Sequence, residues 1–419
     1  MAEKKKKSKK KKWLKFRHRV VTAFFRPIMF VAAKLLYGVK LNKRKKKDAR
    51  QLLIVSNHQT VFDEFFVGLS FSGPVYYVAS EDMFSIGILS KLLSWAVGPI
   101  PFKKSTNDVG AVMNCMRIAH EGGTICIFPE GNRTYHGRTV AMKDSIAVLA
   151  KKMKLPLAIF KIDGGYGIKP RWSDKRRKGK MTAGVTRIIE PEELAKMTEE
   201  EIYRLISKEL YVDEHMKTEE YPSRHLAEYL ERAIYVCPDC GLSAFISKDR
   251  RISCQKCGKI TEYLPNKTLK GINYDCRMKN EGEWYDYQEN YIRRLSRDAY
   301  LTEPAYVENV SILRVIPYKK KLMLDKEAVI RLYSDRYEFS VGAGATADFD
   351  ENSCFDGSAL PFSKVQAAAA VGRNKLNIYT SEGIYQIKAD KHFNPLKYVN
   401  FYYHYIGNGE NSDAEFLGL

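Results

Sequence analysis

Residues 52–63 read LLIVSNHQTVFD. The first five are a short apolar run without charge, the pattern of a strand buried on both faces. Asn57-His58-Gln59-Thr60 breaks the run, and residues 61–70 take up helical spacing. A buried strand that turns directly into a helix is the repeating unit of a parallel sheet. The unit recurs: residues 75–79, 124–128 and 157–162 read as strands, and residues 84–96, 107–121 and 142–154 as helices. Residues 180–189 add a strand, and residues 198–217 and 223–233 read as polar helices. The expected fold class is α/β over residues 51–233, a mainly parallel sheet with flanking helices.

Charge is uneven along the chain. The formal net charge is +21, and residues 1–50 carry 20 Lys or Arg against only Glu3 and Asp48. That local excess of 18 leaves the rest of the chain nearly neutral. An intensely basic end fits anionic lipid headgroups or nucleic acid. After a low-complexity basic tract at residues 4–12, the text becomes amphipathic. On a helical wheel Lys12, Lys15, Arg19, Arg26 and Lys34 share one arc. Trp13, Val20, Phe24, Ile28, Phe30, Val31 and Leu35 face away from it. Cations above and aromatics below describe a helix lying in the headgroup plane. Residues 20–39 are long enough for a span or a signal sequence, but Arg26 and Lys34 interrupt them and Pro27 predicts a kink. One helix or two short ones fit equally. Lys43–Lys47 form a second basic cluster. Residues 1–50 are thus expected to be a membrane-surface segment that favours lipid over nucleic acid.

Two further units are expected. Cys237-Pro238-Asp239-Cys240-Gly241 and Cys254-Gln255-Lys256-Cys257-Gly258 are paired knuckles with 13 residues between Cys240 and Cys254. That spacing points to a structural zinc ribbon over residues 235–262, with iron as the competing metal, and to a reducing compartment. Around it Lys248, Arg250, Arg251, Lys256 and Lys259 make a modest basic patch against Asp239 and Asp249. A nucleic-acid-binding protein with a degenerate enzyme domain is therefore the alternative reading. Residues 263–304 carry no assignable pattern and are treated as a linker. Residues 305–419 are β-rich, with strands expected at 329–333, 336–341, 364–371, 375–380 and 383–388 and a closing helix at 394–406. That order weakly resembles a pleckstrin-homology or GRAM-like domain.

The candidate chemistry lies at two strand ends. His58 is suited to general-base work and needs an orienting carboxylate. Residues five apart do not share a helix face, so His58 is expected in the turn, with Asp63 reaching back from the first helical turn. At the second strand end stands Phe128-Pro129-Glu130-Gly131-Asn132-Arg133-Thr134. There Glu130 can accept from hydroxyls, Gly131 lets backbone approach a ligand, and Arg133 offers a planar fork to phosphate.

Together the two segments resemble the glycerolipid acyltransferase superfamily, typified by the 1-acyl-glycerol-3-phosphate (lysophosphatidate) acyltransferases. Its first motif, N-H-x-x-x-x-D, is matched by Asn57, His58 and Asp63. Its third, F-P-E-G-[ST]-R-S, is matched by Phe128, Pro129, Glu130, Gly131 and Arg133. Gly98-Pro99-Ile100-Pro101-Phe102-Lys103-Lys104 resembles the second, with Lys103 and Lys104 where the family has arginine. Leu155-Pro156-Leu157-Ala158 resembles the fourth. The resemblance covers residues 20–215. It implies an acyltransferase with His58 and Asp63 catalytic and Asn57, Lys103, Lys104, Glu130, Gly131 and Arg133 binding substrate. It also implies acyl-CoA or acyl-carrier-protein as donor and a lysophospholipid acceptor; the N-terminal segment sets the expected place, the cytoplasmic face of a membrane. No cysteine sits in a nucleophilic motif, and Cys126 reads as a buried strand residue.

Overall fold

The computed structural model describes residues 12–42, 50–102, 108–317, 319–340 and 359–407. Lys103, Lys104 and the Lys43–Lys47 cluster lie outside the described residues.

The N-terminal unit is a seven-stranded sheet. Its strands are β1 (Val39–Asn42), β2 (Leu53–Ser56), β3 (Val75–Ser80), β4 (Ile100–Phe102), β5 (Thr124–Ile127), β6 (Leu157–Asp163) and β7 (Met181–Ile189). They stand in the order β1-β7-β6-β2-β5-β3-β4. Only β6 and β7 run antiparallel; the other neighbours are parallel. Helices α1 (Phe16–Tyr37), α2 (Asp63–Ser70) and α3 (Ile88–Val97) precede α4 (Val109–His120) and α5 (Ser145–Met153). A short turn of helix α6 (Gly165–Ile168), then α7 (Pro191–Lys196) and α8 (Glu199–Leu210), complete the unit. One core gathers Ala33 and Tyr37 of α1 and Phe66 and Val67 of α2 with Ile54, Ala158 and Phe160 of the sheet. The other gathers Cys115 of α4, Ile146 and Ala150 of α5 and Ile202 and Ile206 of α8 with Leu53, Val55 and Ile125. Alternate strand residues thus feed opposite layers, which is why β2 reads as continuously apolar.

The sheet begins at Val39, twelve residues before the expected unit boundary at 51, and pairs Val39–Asn42 with Met181–Gly184. Helix α1 is one continuous helix despite Pro27, and it ends on Gly38 at φ 56. The basic amphipathic segment is therefore built into the unit. Helix α8 starts where expected, on a capping box between Thr198 and Glu201, but stops at Leu210. There Val212 turns away to exchange two hydrogen bonds with Thr139. The helix expected at residues 223–233 is replaced by one 3-10 turn, Leu230–Arg232. The N–H of Ala227 goes to the Asp249 carbonyl and that of Tyr229 to Ser247 Oγ, so these amides bind the next unit and not a helix.

That next unit has a hairpin, β8 (Val236–Cys237) and β9 (Gly241–Leu242), and four antiparallel strands: β10 (Phe245–Lys248), β11 (Arg251–Cys254), β12 (Ile260–Tyr263) and β13 (Leu269–Gly271). It therefore runs past residue 262. The supposed linker also holds helix α9 (Glu281–Arg293), capped by Asn280. Its Gln288 accepts from the N–H groups of Tyr235 and Val236 and donates to the Ala233 carbonyl.

The C-terminal unit has seven antiparallel strands: β14 (Tyr306–Ile316), β15 (Lys320–Leu332), β16 (Arg336–Ser340), β17 (Ala359–Pro361), β18 (Val365–Val371), β19 (Lys375–Thr380) and β20 (Gly383–Lys388). Their order is β17-β16-β15-β14-β20-β19-β18, closed by α10 (Leu396–Tyr405). The strand expected at 329–333 is only the end of β15, and β14 gave no expectation. A single core joins Cys237 and Cys254, Trp284 and Tyr285 of α9, the C-terminal strands and α10.

Candidate active site

β2 and β5 are parallel neighbours, with Leu53 opposite Ile125. Their C-terminal ends therefore deliver the Asn57 and Phe128 loops side by side. The N–H of Thr134 donates to the His58 carbonyl, tying the two motifs together.

His58 sits in the turn and Asp63 is the first residue of α2, as the spacing requires. His58 Nδ1 lies 2.9 Å from Asp63 Oδ2. The same oxygen accepts from the N–H of Gln59 at 2.6 Å and of Thr60 at 2.9 Å, and Thr60 Oγ1 donates to Oδ1 at 2.6 Å. Asp63 is fully buried. It is thus fixed from four directions and orients the imidazole, with the Nδ1 proton toward the carboxylate and Nε2 left to accept. The ring stacks on Phe128 at 4.4 Å.

Arg133 reaches the same end of the sheet. Burial and the neighbouring Arg171 charge bring its guanidinium down to about 10, while Glu64 and Asp63 act the other way. Among the described residues no carboxylate lies within ion-pair distance of it. A partly buried cation without a paired anion is suited to taking one from a ligand. Gly131 adopts φ 66, a left-handed conformation that favours glycine at this turn.

Two expected ligand contacts have other work. Asn57 is fully buried and exchanges two hydrogen bonds of 2.7 Å with the Ile162 backbone, clamping the turn to β6. Glu130 is also buried; its two oxygens accept from the N–H of His58 at 2.6 Å and of Val140 at 2.9 Å. Burial, opposed by the two N–H bonds, pushes its carboxyl up to about 8. Both residues brace the site, because each of their polar atoms holds a backbone group.

Two supporting residues left no signal in the sequence. Gln59 Oε1 accepts from the N–H of Gly165, and its Nε2 donates to Glu214. Arg171 is buried and donates to the carbonyls of Arg133 (2.7 Å), Gly372 (2.8 Å) and Ala370 (2.7 Å). It lies 4.0 Å from the Tyr135 ring centre. The β18–β19 hairpin of the C-terminal unit is thereby bonded to the backbone of the Arg133 loop.

Outside this site, the sulfurs of Cys237, Cys240, Cys254 and Cys257 all lie within 4.8 Å of one another. Cys237 and Cys257 are 3.7 Å apart, and Cys240 and Cys254 are 3.5 Å apart. Four thiolates at about 2.3 Å around one tetrahedral ion stand about 3.8 Å apart. The donor set therefore fits zinc.

Residues 39–160 match the family model described as Acyltransferase, which spans both motifs. This segment, which holds both strand-end motifs, is similar to the acyltransferases of that family. The chain is 27% identical over 137 residues to a chloroplastic 1-acyl-sn-glycerol-3-phosphate acyltransferase of Brassica napus, BAT2, covering 32% of this chain and 38% of that protein. It is equally identical to chloroplastic LPAT1 of Arabidopsis thaliana, covering 37% of that protein. The chain thus spans little more than a third of these relatives' length. The 1-acyl-sn-glycerophosphate acyltransferase PlsC of Thermotoga maritima is 18% identical with a TM-score of 0.39, over 46% of this chain and 77% of that one. The acyltransferase segment ends before Arg171, the ribbon and the C-terminal unit.

Proposed function

We propose that this protein transfers a fatty acyl group from an acyl thioester to the free hydroxyl of 1-acyl-sn-glycerol-3-phosphate, giving phosphatidic acid. The observation that carries the reading is His58, held by Asp63 through Nδ1, beside Arg133, which has no carboxylate partner among the described residues. His58 Nε2 takes the proton of the acceptor hydroxyl as its oxygen attacks the thioester carbonyl. The tetrahedral intermediate collapses, the C–S bond breaks, and the proton on Nε2 passes to the leaving thiolate. Arg133 holds the acceptor phosphate, with the Lys103–Lys104 pair as the second base. The donor is acyl-CoA or acyl-carrier-protein. The similar plant proteins are named for this acceptor. Glycerol-3-phosphate and other lysophospholipids carry the same phosphate and are the competing acceptors.

The chain works at the cytoplasmic face of a membrane with anionic lipids, held by α1. By length and composition α1 could cross a bilayer. Several contacts favour its lying flat: His18 Nδ1 meets the Tyr76 hydroxyl at 3.0 Å, and Arg26 donates to the Leu69 carbonyl. The four cysteines hold a structural zinc ion with no open position. Seven antiparallel strands and one closing helix support a pleckstrin-homology or GRAM-like reading of the C-terminal unit. Against nucleic acid, two of the five ribbon cations are already paired, Arg250 with Glu262 and Lys259 with Asp239.

The test is an acceptor panel with labelled acyl-CoA and acyl-carrier-protein, followed by lipid analysis. Phosphatidic acid from the lysolipid, abolished in His58→Ala at unchanged melting temperature, is the expected result. Unchanged transfer in that variant overturns the mechanism. Salt-sensitive DNA binding that needs the ribbon, without acyl transfer, favours the alternative.

A further inference from the structure

Much of the exposed apolar surface lies on α1, α3 and the turn that follows His58. On α1 it comprises Phe16, Val20, Phe24, Ile28, Val31 and Leu35, and beside His58 it comprises Val61 and Phe65. Helix α3 is the unexpected member. A helix joining two parallel strands normally buries an apolar stripe. In α3 only Ser90 is buried. Ile88 is 86% exposed, Leu92 56% and Trp95 52%, and Leu89 is half exposed.

The helix is nonetheless firmly held. Gly87 and Gly98 bound it at φ 69 and 57. Ser90 Oγ donates to the Met83 carbonyl and accepts from the Ile86 N–H. Arg17 of α1 donates to the Trp95 carbonyl at 2.8 Å and sits over its ring. The apolar side of α3 is therefore presented outward by design of its contacts, and it is locked to α1.

We propose that α3 is a second membrane anchor, inserting Ile88, Leu89, Leu92 and Trp95 into the interfacial region of an anionic bilayer alongside α1. This rests on the membrane-surface reading of α1 and extends it to a helix that carries no basic amphipathic signature of its own. Charge selects the occupant. Lys91 is exposed on α3, and Arg19 is exposed on α1. The tip of the β14–β15 hairpin adds exposed Lys319 and Lys320. That hairpin is pinned next to α3, where Lys321 pairs with Asp82 and Ser85 Oγ meets the Ile316 carbonyl. An apolar patch rimmed by cations suits an anionic leaflet, in which the rings and aliphatic chains sink below the headgroups. A second copy of this chain would set the same cations against each other. The C-terminal unit then meets the same leaflet through its hairpin, and Val61 and Phe65 bring the rim of the His58 site to the lipid surface.

The experiment is flotation of the full chain with phosphatidylcholine vesicles and with vesicles containing phosphatidylglycerol. Leu89→Glu/Leu92→Glu, the milder Ile88→Ser/Leu92→Ser, Lys319→Glu/Lys320→Glu and, on α1, Val20→Glu/Phe24→Glu are compared at matched melting temperature. Binding to anionic vesicles should fall about tenfold or more in the first α3 variant, and less in the serine and hairpin variants. Turnover of a short-chain soluble acceptor should stay unchanged in all α3 variants. If the α1 variant loses binding while both α3 variants float like the parent, the second anchor is wrong and the α1 reading survives. If no variant loses binding, both fail. An α3 variant that converts a dimer to a monomer in sedimentation, with flotation intact, assigns the face to a second copy and overturns the proposal.

Discussion

Glu130 shows how a motif residue at the site is held by backbone. Each carboxylate oxygen receives one backbone N–H, from His58 and from Val140. Glutamine has the same shape but must turn its NH2 toward one of these donors. Glu130→Gln should therefore cost about 1–3 kcal/mol, read as a lower melting temperature. It should also lower kcat by loosening the His58 backbone, while leaving the acceptor KM little changed. A rise in KM alone would return Glu130 to the substrate-contact role its sequence suggests. At this scale the sequence was legible in part. The spacing of Asn57, His58, Asp63, Glu130 and Arg133 told which residues gather, because two parallel strand ends bring them together. It did not tell which way they point. Asn57 and Glu130 look like ligand contacts until the Ile162, His58 and Val140 amides are seen to occupy them. Gln59 and Arg171 carry no local pattern, since their partners lie 106 and 201 residues away.

Elements that are distant in sequence meet at that Arg133 loop. The β18–β19 hairpin supplies two of the three carbonyls that Arg171 binds, and Tyr135 donates to a further hairpin carbonyl, that of Arg373. Lysine at 171 keeps the charge and loses the planar fork. Arg171→Lys should raise the KM for phosphate-bearing acceptors several-fold, because the Arg133 backbone is released, with a smaller change in kcat. An equal loss for a phosphate-free acceptor would mean general destabilisation and not positioning. The ribbon is a second such element. Cys237 and Cys254 belong to the same buried core as Trp284, Tyr398 and Phe401, so an ion that orders the knuckles also orders that core. One zinc per chain is expected by elemental analysis, and Cys254→Ser or a strong chelator should lower the melting temperature by several degrees. Stability indifferent to chelation would refute a structural metal. The knuckles were readable because the C-x-x-C spacing is itself a local pattern. Helix α9 was not, because its buried face is made of Trp284, Tyr285 and Gln288, a stripe that mixes polar and apolar side chains.

Across the whole molecule, the same burial that joins the units sets a pH dependence. His136 follows the Arg133 loop and packs against Tyr285 of α9 at 4.8 Å, and its Nδ1 accepts from the Arg138 N–H. His215 Nε2 donates to the His136 carbonyl at 2.8 Å. Burial, then the Arg138 charge, brings His136 down to about 3, and burial lowers His215 as well. For His136 the folded value lies below the ordinary 6.5, so the unfolded chain takes the proton first as pH falls. Its contribution to stability is complete above about pH 6.5 and is lost toward 3. Glu130 and Glu281 run the opposite way: burial raises both to about 8, so acid favours their folded form and stability falls as pH climbs from their ordinary value to 8. The two tendencies oppose each other between pH 5 and 6.5, which keeps the parent profile shallow. The difference between parent and His136→Asn isolates one of them. That variant should be less stable at pH 7.5, having lost the ring contact with Tyr285, and the deficit should shrink by about 2 kcal/mol by pH 5, since only the parent still carries the buried neutral histidine. Denaturant unfolding of both proteins at the two pH values measures this directly. A deficit that stays constant would mean that His136 titrates alike in the folded and unfolded chains, and that the contact between the Arg133 loop and α9 is open to water.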